Sequence, residues 1–180
     1  MDNQVLDAIR ERSSIRAYKD EALSDEEILV LKEAALQSPT ARNLQAQRFF
    51  FITNKDVIDD VDRCVARAIN GGVLPENYRK TCYGAPLLIV IGIARGSHYG
   101  LVDCGIASQS IALAAKSIGL DTVILGMPEH AFELGPEAPR MRKIIGMGDE
   151  LEYGVAVAVG RKAADKAPHS YDMSHCIDIK

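Results

Sequence analysis

The sequence has no basic excess, no long apolar run, no closely spaced cysteines and none of the compact motifs that mark a protein-borne catalytic centre. Lysine and arginine total 21 against 25 acidic residues, a formal charge of −4, which argues against a nucleic-acid surface and its basic stripe. The longest apolar run, residues 85–94, is far shorter than the ~20 residues needed to span a bilayer. The four cysteines, at 64, 82, 104 and 176, form no CxxC pair, and the amino terminus carries no signal-peptide pattern. Free thiols in a reducing cytoplasm are therefore expected. There is no GxxxxGK[ST] loop and no GxSxG elbow, and Gly146-Met147-Gly148 is a lone GxG that precedes a strand. His98, His130, His169 and His175 show no metal-ligand spacing, and His175-Cys176 stands alone in the carboxyl-terminal tail. With no nucleophile, base or metal set, any chemistry must come from a bound cofactor.

What remains is an ordinary globular composition, 47% apolar and 26% charged over 180 residues, enough for one hydrophobic core and short for two. Val5, Leu6, Ala8 and Ile9 repeat at helical spacing from Asn3 to about Arg12. Ser24-Asp25-Glu26-Glu27 forms a capping box for a helix that stops before Pro39. A strand follows over 47–53, a helix from Asp56 to Asn70, and a wholly apolar strand over 87–93. Residues 101–118 are so rich in Ala, Ile and Leu that this helix is expected to be central and covered nearly all round, with Gly119 closing it. A short strand over 123–125, a helix from Pro139 to about Met147 and a strand over 153–159 complete the order. This is one α/β or α+β domain over residues 1–162. The polar tail, 163–180, carries Tyr171, Met173 and Ile177, and either frays or lies along a second copy of the chain.

Four clusters could carry binding. Arg12-Ser13-Ser14-Ile15-Arg16 offers two guanidinium groups and two hydroxyls, which suit a phosphate monoester or, equally, a helix C-cap. In the stretch SPTARNLQAQ, Ser38, Thr40, Arg42, Asn43, Gln45 and Gln47 surround Pro39. They form either a self-satisfied turn or a surface reading something flat, polar and uncharged. Leu125-Gly126-Met127-Pro128 is a turn, or a strand end presenting backbone N–H groups. Arg161-Lys162 adds cations after the last strand, or simply a solvated exit.

Taken in order, these clusters resemble the nitroreductase family of FMN-dependent oxidoreductases. The resemblance rests on R-S-S-I-R-A-Y at 12–18, S-P-T-A-R-N-L-Q at 38–45, Tyr83-Gly84-Ala85-Pro86, Asp103-Cys104-Gly105-Ile106-Ala107 and the strand ending in Leu-Gly. It runs from about residue 4 to 162. It implies an α+β fold, a three-layer α/β/α sandwich with a mixed central sheet flanked by helices, assembled as an intertwined homodimer whose tails embrace the partner. It further implies that Arg12, Ser13, Ser14 and Arg16 hold the FMN phosphate and ribityl chain, with Arg161 and Lys162 completing the grip. Pro39, Thr40 and Asn43, with Gln45, would line the flavin of the other subunit, and Leu125 and Gly126 would give N–H groups near N5 and O4. Ser13 stands where Arg or His is commoner in the family, and Ala46-Gln47 replaces the frequent Pro-Trp.

On this resemblance no side chain is catalytic and no metal is needed. NADH or NADPH reduces the flavin, and small acceptors such as nitroaromatics or quinones reoxidise it by ping-pong exchange at one open face. Two alternatives stand beside it: a specialised flavin enzyme acting on a defined metabolite, and a flavin carrier or storage protein without useful turnover.

Overall fold

The computed structural model describes residues 3–180. Helix α1, Gln4–Glu11, is capped by the Asn3 side chain, and α2, Asp25–Leu36, opens on the expected capping box, with Ser24 and Glu27 bonding each other's backbone N–H. Strand β1, Gln47–Ile52, leads through an Asn54 cap into α3, Lys55–Ile69. Strand β2, Leu87–Ala94, is followed by α4, Gly100–Ser117, and β3, Asp121–Leu125. A π-helical turn, His130–Leu134, precedes α5, Ala138–Ile145, and β4, Leu151–Gly160, closes the domain. No helix among the described residues is long and apolar enough to cross a membrane.

The strands form one sheet in the order β1-β2-β4-β3, and every ladder is antiparallel. The expected mixed character is confined, among the described residues, to one parallel contact, the isolated bridge between Ser14 and Thr122 on the outer side of β3. Both faces of the sheet are covered, which explains why β2 is apolar without alternation. Leu88 and Val90 join Ile58, Val61, Val65, Phe132 and Met141 of α3, the π turn and α5 on one face. Leu87, Ile89, Ile91 and Ile93 meet Leu31, Ala107, Ile111 and Ala115 of α2 and α4 on the other. The three-layer α+β arrangement is the expected one. Helix α4 lies so close to β4 that a Cβ on Gly154 would sit 2.5 Å from Cys104 Sγ.

Helix α4 departs from expectation in one respect. Its own chain covers the sheet-facing side, but Leu101, Val102 and Ile106 are exposed on the other, with Gly105 and Gln109 between and beyond them. Apolar composition reports that a surface is to be buried, not against which molecule.

The tail divides at Lys166. Up to that point it is tied to the 13–19 segment by Lys19 N–H to Arg161 O, Ala163 N–H to Ala17 O and the Ser13 hydroxyl to Lys166 O. Beyond it every residue is exposed, Ile177 and Ile179 almost completely.

Candidate functional site

The outer edge of β3 is where the sequence clusters meet. Ile15 N–H donates to Thr122 O at 3.0 Å, so the peptide groups of Thr122 point away from β4. By strand alternation, those of residues 124 and 126 do the same, whereas Leu125 faces its register partner Ala156. The N–H group of Gly126 accordingly has no acceptor among the described residues, and neither has that of Met127 in the turn that follows. Gly126 is exposed, and a Cβ there would meet nothing within 4 Å. From Thr122 to Gly126 the edge runs roughly 13 Å, at ~3.3 Å per residue. Cationic side chains from the 12–16 segment stand at one end and free amide donors at the other.

The predicted phosphate residues do not all behave alike. Arg12, the C-cap of α1, and the exposed Arg16 make no ion pair among the described residues. Ser14 lies in the bridge to Thr122, whose own hydroxyl is buried without a partner. Ser13 is buried, its hydroxyl donating to Lys166 O at 3.2 Å. Arg161 reaches the same region through the backbone, but its guanidinium is held by Glu27 at 2.6 Å and faces Glu21 at 3.6 Å. Lys162 pairs with the exposed Asp165 at 2.6 Å. The free guanidinium groups of this cluster are therefore those of Arg12 and Arg16.

The loop after α2 is a separate construction. A 3-10 turn, Ala41–Asn43, carries Arg42 and Asn43 at φ 54°, and Gln45 follows at φ 48°. Left-handed conformations at non-glycine residues cost of order 1–3 kcal/mol each and persist only when the surroundings fix them. Here Thr40 Oγ1 accepts from Gln45 N–H, Asn43 Oδ1 accepts from Gln45 Nε2, and the buried Asp103 of α4 accepts from Ala41 N–H at 3.0 Å. Pro39, Asn43 and Gln45 remain exposed. Behind the loop a cavity of about 380 Å³ is lined by Ser38, Thr40, Gln45, Gln47, Phe49 and Phe51. The Gln47 amide nitrogen is buried without a protein acceptor.

These two halves lie at opposite ends of α4. The loop is pinned to Asp103 in its first turn. Lys116, in its last turn, sits 3.7 Å from Glu11, the residue before Arg12, and 3.5 Å from Asp121 of β3. The thirteen residue steps from Asp103 to Lys116 correspond to roughly 20 Å of helix at 1.5 Å each. A single chain does not bring Thr40, Asn43 and Gln45 to the β3 edge.

No side chain at the edge is poised as a nucleophile. The buried thiols are driven further toward the protonated form. Burial, then Glu137 and Asp60, pushes Cys64 up to about 11; burial, then Asp103, pushes Cys104 up to about 12. Two contributors were not evident from the sequence: Asp103 as the loop's anchor, and Tyr153. The buried hydroxyl of Tyr153 donates to Leu125 O at 2.7 Å. Each is a contact between distant segments, with no signature in local spacing.

Comparisons with known proteins bear on the family and the fold. The sequence model described as Nitroreductase family matches residues 9–161. A Methanothermobacter thermautotrophicus protein whose name pairs NADH dehydrogenase with NAD(P)H nitroreductase is 31% identical over 127 residues. That match covers 68% of this chain but only 61% of the archaeal protein. A crystal structure of a Desulfitobacterium hafniense nitroreductase with bound FMN superposes with a TM-score of 0.90 at 32% identity, over 100% of both chains. A Bacteroides fragilis nitroreductase with bound FMN gives 0.91 at 20% identity, over 99% of this chain and 100% of that one, a likeness of fold alone.

Proposed function

Because the chain belongs to the Nitroreductase family, we propose that it is an FMN-dependent oxidoreductase. It would act as a homodimer, carrying electrons from NADH or NADPH to small acceptors such as nitroaromatics or quinones. The observation that carries this reading is the outer edge of β3, with unpaired guanidinium groups at one end and unpaired amide N–H groups at the other. These residues fit the group. Arg12 and Arg16 supply bidentate donors for a phosphate dianion, and Ser14 lies beside them. Gly126 and Met127 supply neutral donors for the edge of a flat ring, and the missing side chain at 126 lets that ring approach the backbone.

When bound, FMN supplies the redox chemistry, accepting a hydride from the nicotinamide and releasing electrons to the acceptor at the same open face. The chain's residues bind and orient. Fixed N–H dipoles stabilise the negative charge that reduction adds, without reorganising as it develops. Thr40, Asn43 and Gln45 would reach the ring from the second subunit, because their own chain holds them roughly 20 Å away along α4. The exposed Leu101, Val102 and Ile106 give that subunit an apolar face to pack on. The exposed tail beyond Lys166 would lie along the same partner.

An absorption spectrum before and after anaerobic addition of NADH or NADPH tests the reading. A yellow protein that bleaches supports it. One that stays colourless when titrated with FMN refutes the cofactor, and one that binds FMN but is bleached by neither nucleotide is a carrier. Substituting Arg16→Ala is expected to weaken FMN binding about tenfold, the low end for one lost charge-assisted hydrogen bond. Riboflavin, which lacks the phosphate, should bind both proteins alike in a fluorescence titration.

A further inference from the structure

We infer that Tyr153 is a positioning residue for the flavin: its buried hydroxyl holds the Leu125 carbonyl, and so fixes the direction of the Gly126 N–H that belongs to the same peptide. The inference rests on the proposed FMN site but concerns a residue that lies outside it.

In a trans peptide the C=O and N–H bonds point in opposite directions within one rigid plane. The Leu125–Gly126 peptide is the last one anchored by β3, and Leu125 faces inward, toward Ala156 of β4. Its N–H therefore faces the open edge. Rotation of that plane is what would misdirect the donor. The Tyr153 phenol stops it with a second clamp, donating to Leu125 O at 2.7 Å. A carbonyl oxygen has two lone pairs, so this bond coexists with the strand ladder. A hydrogen bond accepted by the carbonyl also polarises the peptide and strengthens its N–H as a donor.

The phenol is itself held in place. Its ring stacks on Phe132 of the π turn, with centroids 6.3 Å apart and planes 5° from parallel. Its backbone N–H donates to Glu133 Oε2 at 3.2 Å. Burial raises its pKa above the ordinary tyrosine value, so it stays a donor throughout the working pH range. Core packing alone does not call for the hydroxyl, since phenylalanine would fill the same site against Phe132. A polar tip aimed at the one carbonyl whose peptide turns toward the proposed ring is better explained by the direction of that peptide.

The test compares the FMN-loaded wild type, Tyr153→Phe and a chain with 3-fluorotyrosine placed at 153. The phenylalanine variant should bind FMN roughly three- to tenfold more weakly, the value of one neutral hydrogen bond. It should also shift the flavin bands and move the midpoint potential to more negative values, because a fixed dipole that favours the reduced charge is loosened. Fluorination makes the phenol a stronger donor, so its potential should move in the opposite direction, and this arm remains readable if the phenylalanine chain folds poorly. Wild-type affinity and potential in the phenylalanine variant would overturn the inference, whatever its melting temperature, and leave the FMN reading intact. Opposite shifts are required of the fluorinated chain; a potential equal to that of wild type overturns the inference as well. A wild-type chain that takes up no FMN overturns both.

Discussion

An Ile106→Asp chain is expected to sediment as a monomer and to elute without bound flavin, while keeping most of its thermal stability. Ile106 lies on the face of α4 that its own chain leaves open, one turn from Val102, and is itself 37% exposed. Within a single chain, replacing it forfeits the part of the side chain already buried there, roughly 1–2 kcal/mol. At the centre of an apolar interface an unpaired carboxylate costs several kcal/mol, and the effect counts twice across a two-fold axis. The consequence for the cofactor follows from the length of α4. In the proposed dimer Thr40, Asn43 and Gln45 reach the β3 edge from the second subunit, so a monomer would keep the Arg12–Ser14 end of the site and lose the loop. FMN affinity should then fall at least a hundredfold, about 2.7 kcal/mol. Sedimentation velocity and the flavin-to-protein absorbance ratio check both halves. A variant that stays dimeric and yellow would show that α4 is not the interface.

Much of this architecture can be read from local pattern, because local pattern reflects the covering of each element. The capping box at Ser24 and Glu27, the unbroken apolar run of β2 and the closure of α4 at Gly119 (φ 79°) all occur as the residues suggest. The π turn at His130–Leu134 escapes such reading, since one turn of i→i+5 hydrogen bonding soon after Pro128 is too short to show a period of its own. Arg161 shows a second limit. Beside a strand exit, a cation suits a phosphate, yet Glu27, 134 residues earlier in the chain, holds its guanidinium. In the same way the link from Asp103 to Ala41 spans 62 residues and that from Tyr153 to Leu125 spans 28. Spacing reports which residues share a face, not which side chain from another element will meet them. The donors toward the proposed ring were legible because they follow from a strand ending in glycine. The groups that fix those donors were not, because they arise from packing.

The residue with most riding on it for stability is Glu133, and Glu133→Ala should cost about 3 kcal/mol. Its Oε2 accepts from Arg142 Nη1 at 3.0 Å and from Tyr153 N–H at 3.2 Å, and its Oε1 accepts from Arg95 at 3.0 Å. The Arg142 side chain is only 9% exposed. It also donates to the carbonyls of Phe132, Gly148 and Leu151, so one guanidinium ties the π turn to the start of β4. Alanine leaves that buried cation without its counter-charge, a change that typically costs 3–5 kcal/mol. The lower end applies because three carbonyls remain and the carboxylate is partly solvated. For a domain of this size the melting temperature should drop by roughly 6–12 °C. Glu133→Gln keeps an acceptor and should lose about half as much, whereas Arg142→Met, which takes the donor from Glu133 and from three carbonyls, should cost at least as much as Glu133→Ala. Urea unfolding of all three, with the Glu133→Ala/Arg142→Met double variant closing the cycle, isolates the pair. Additive losses in the cycle would mean that the carboxylate acts through Arg95 and Tyr153 instead of through the buried guanidinium. A coupling of 1 kcal/mol or more would show that the ion pair itself ties the π turn to β4, where the support of Tyr153, and through it of the Gly126 donor, begins.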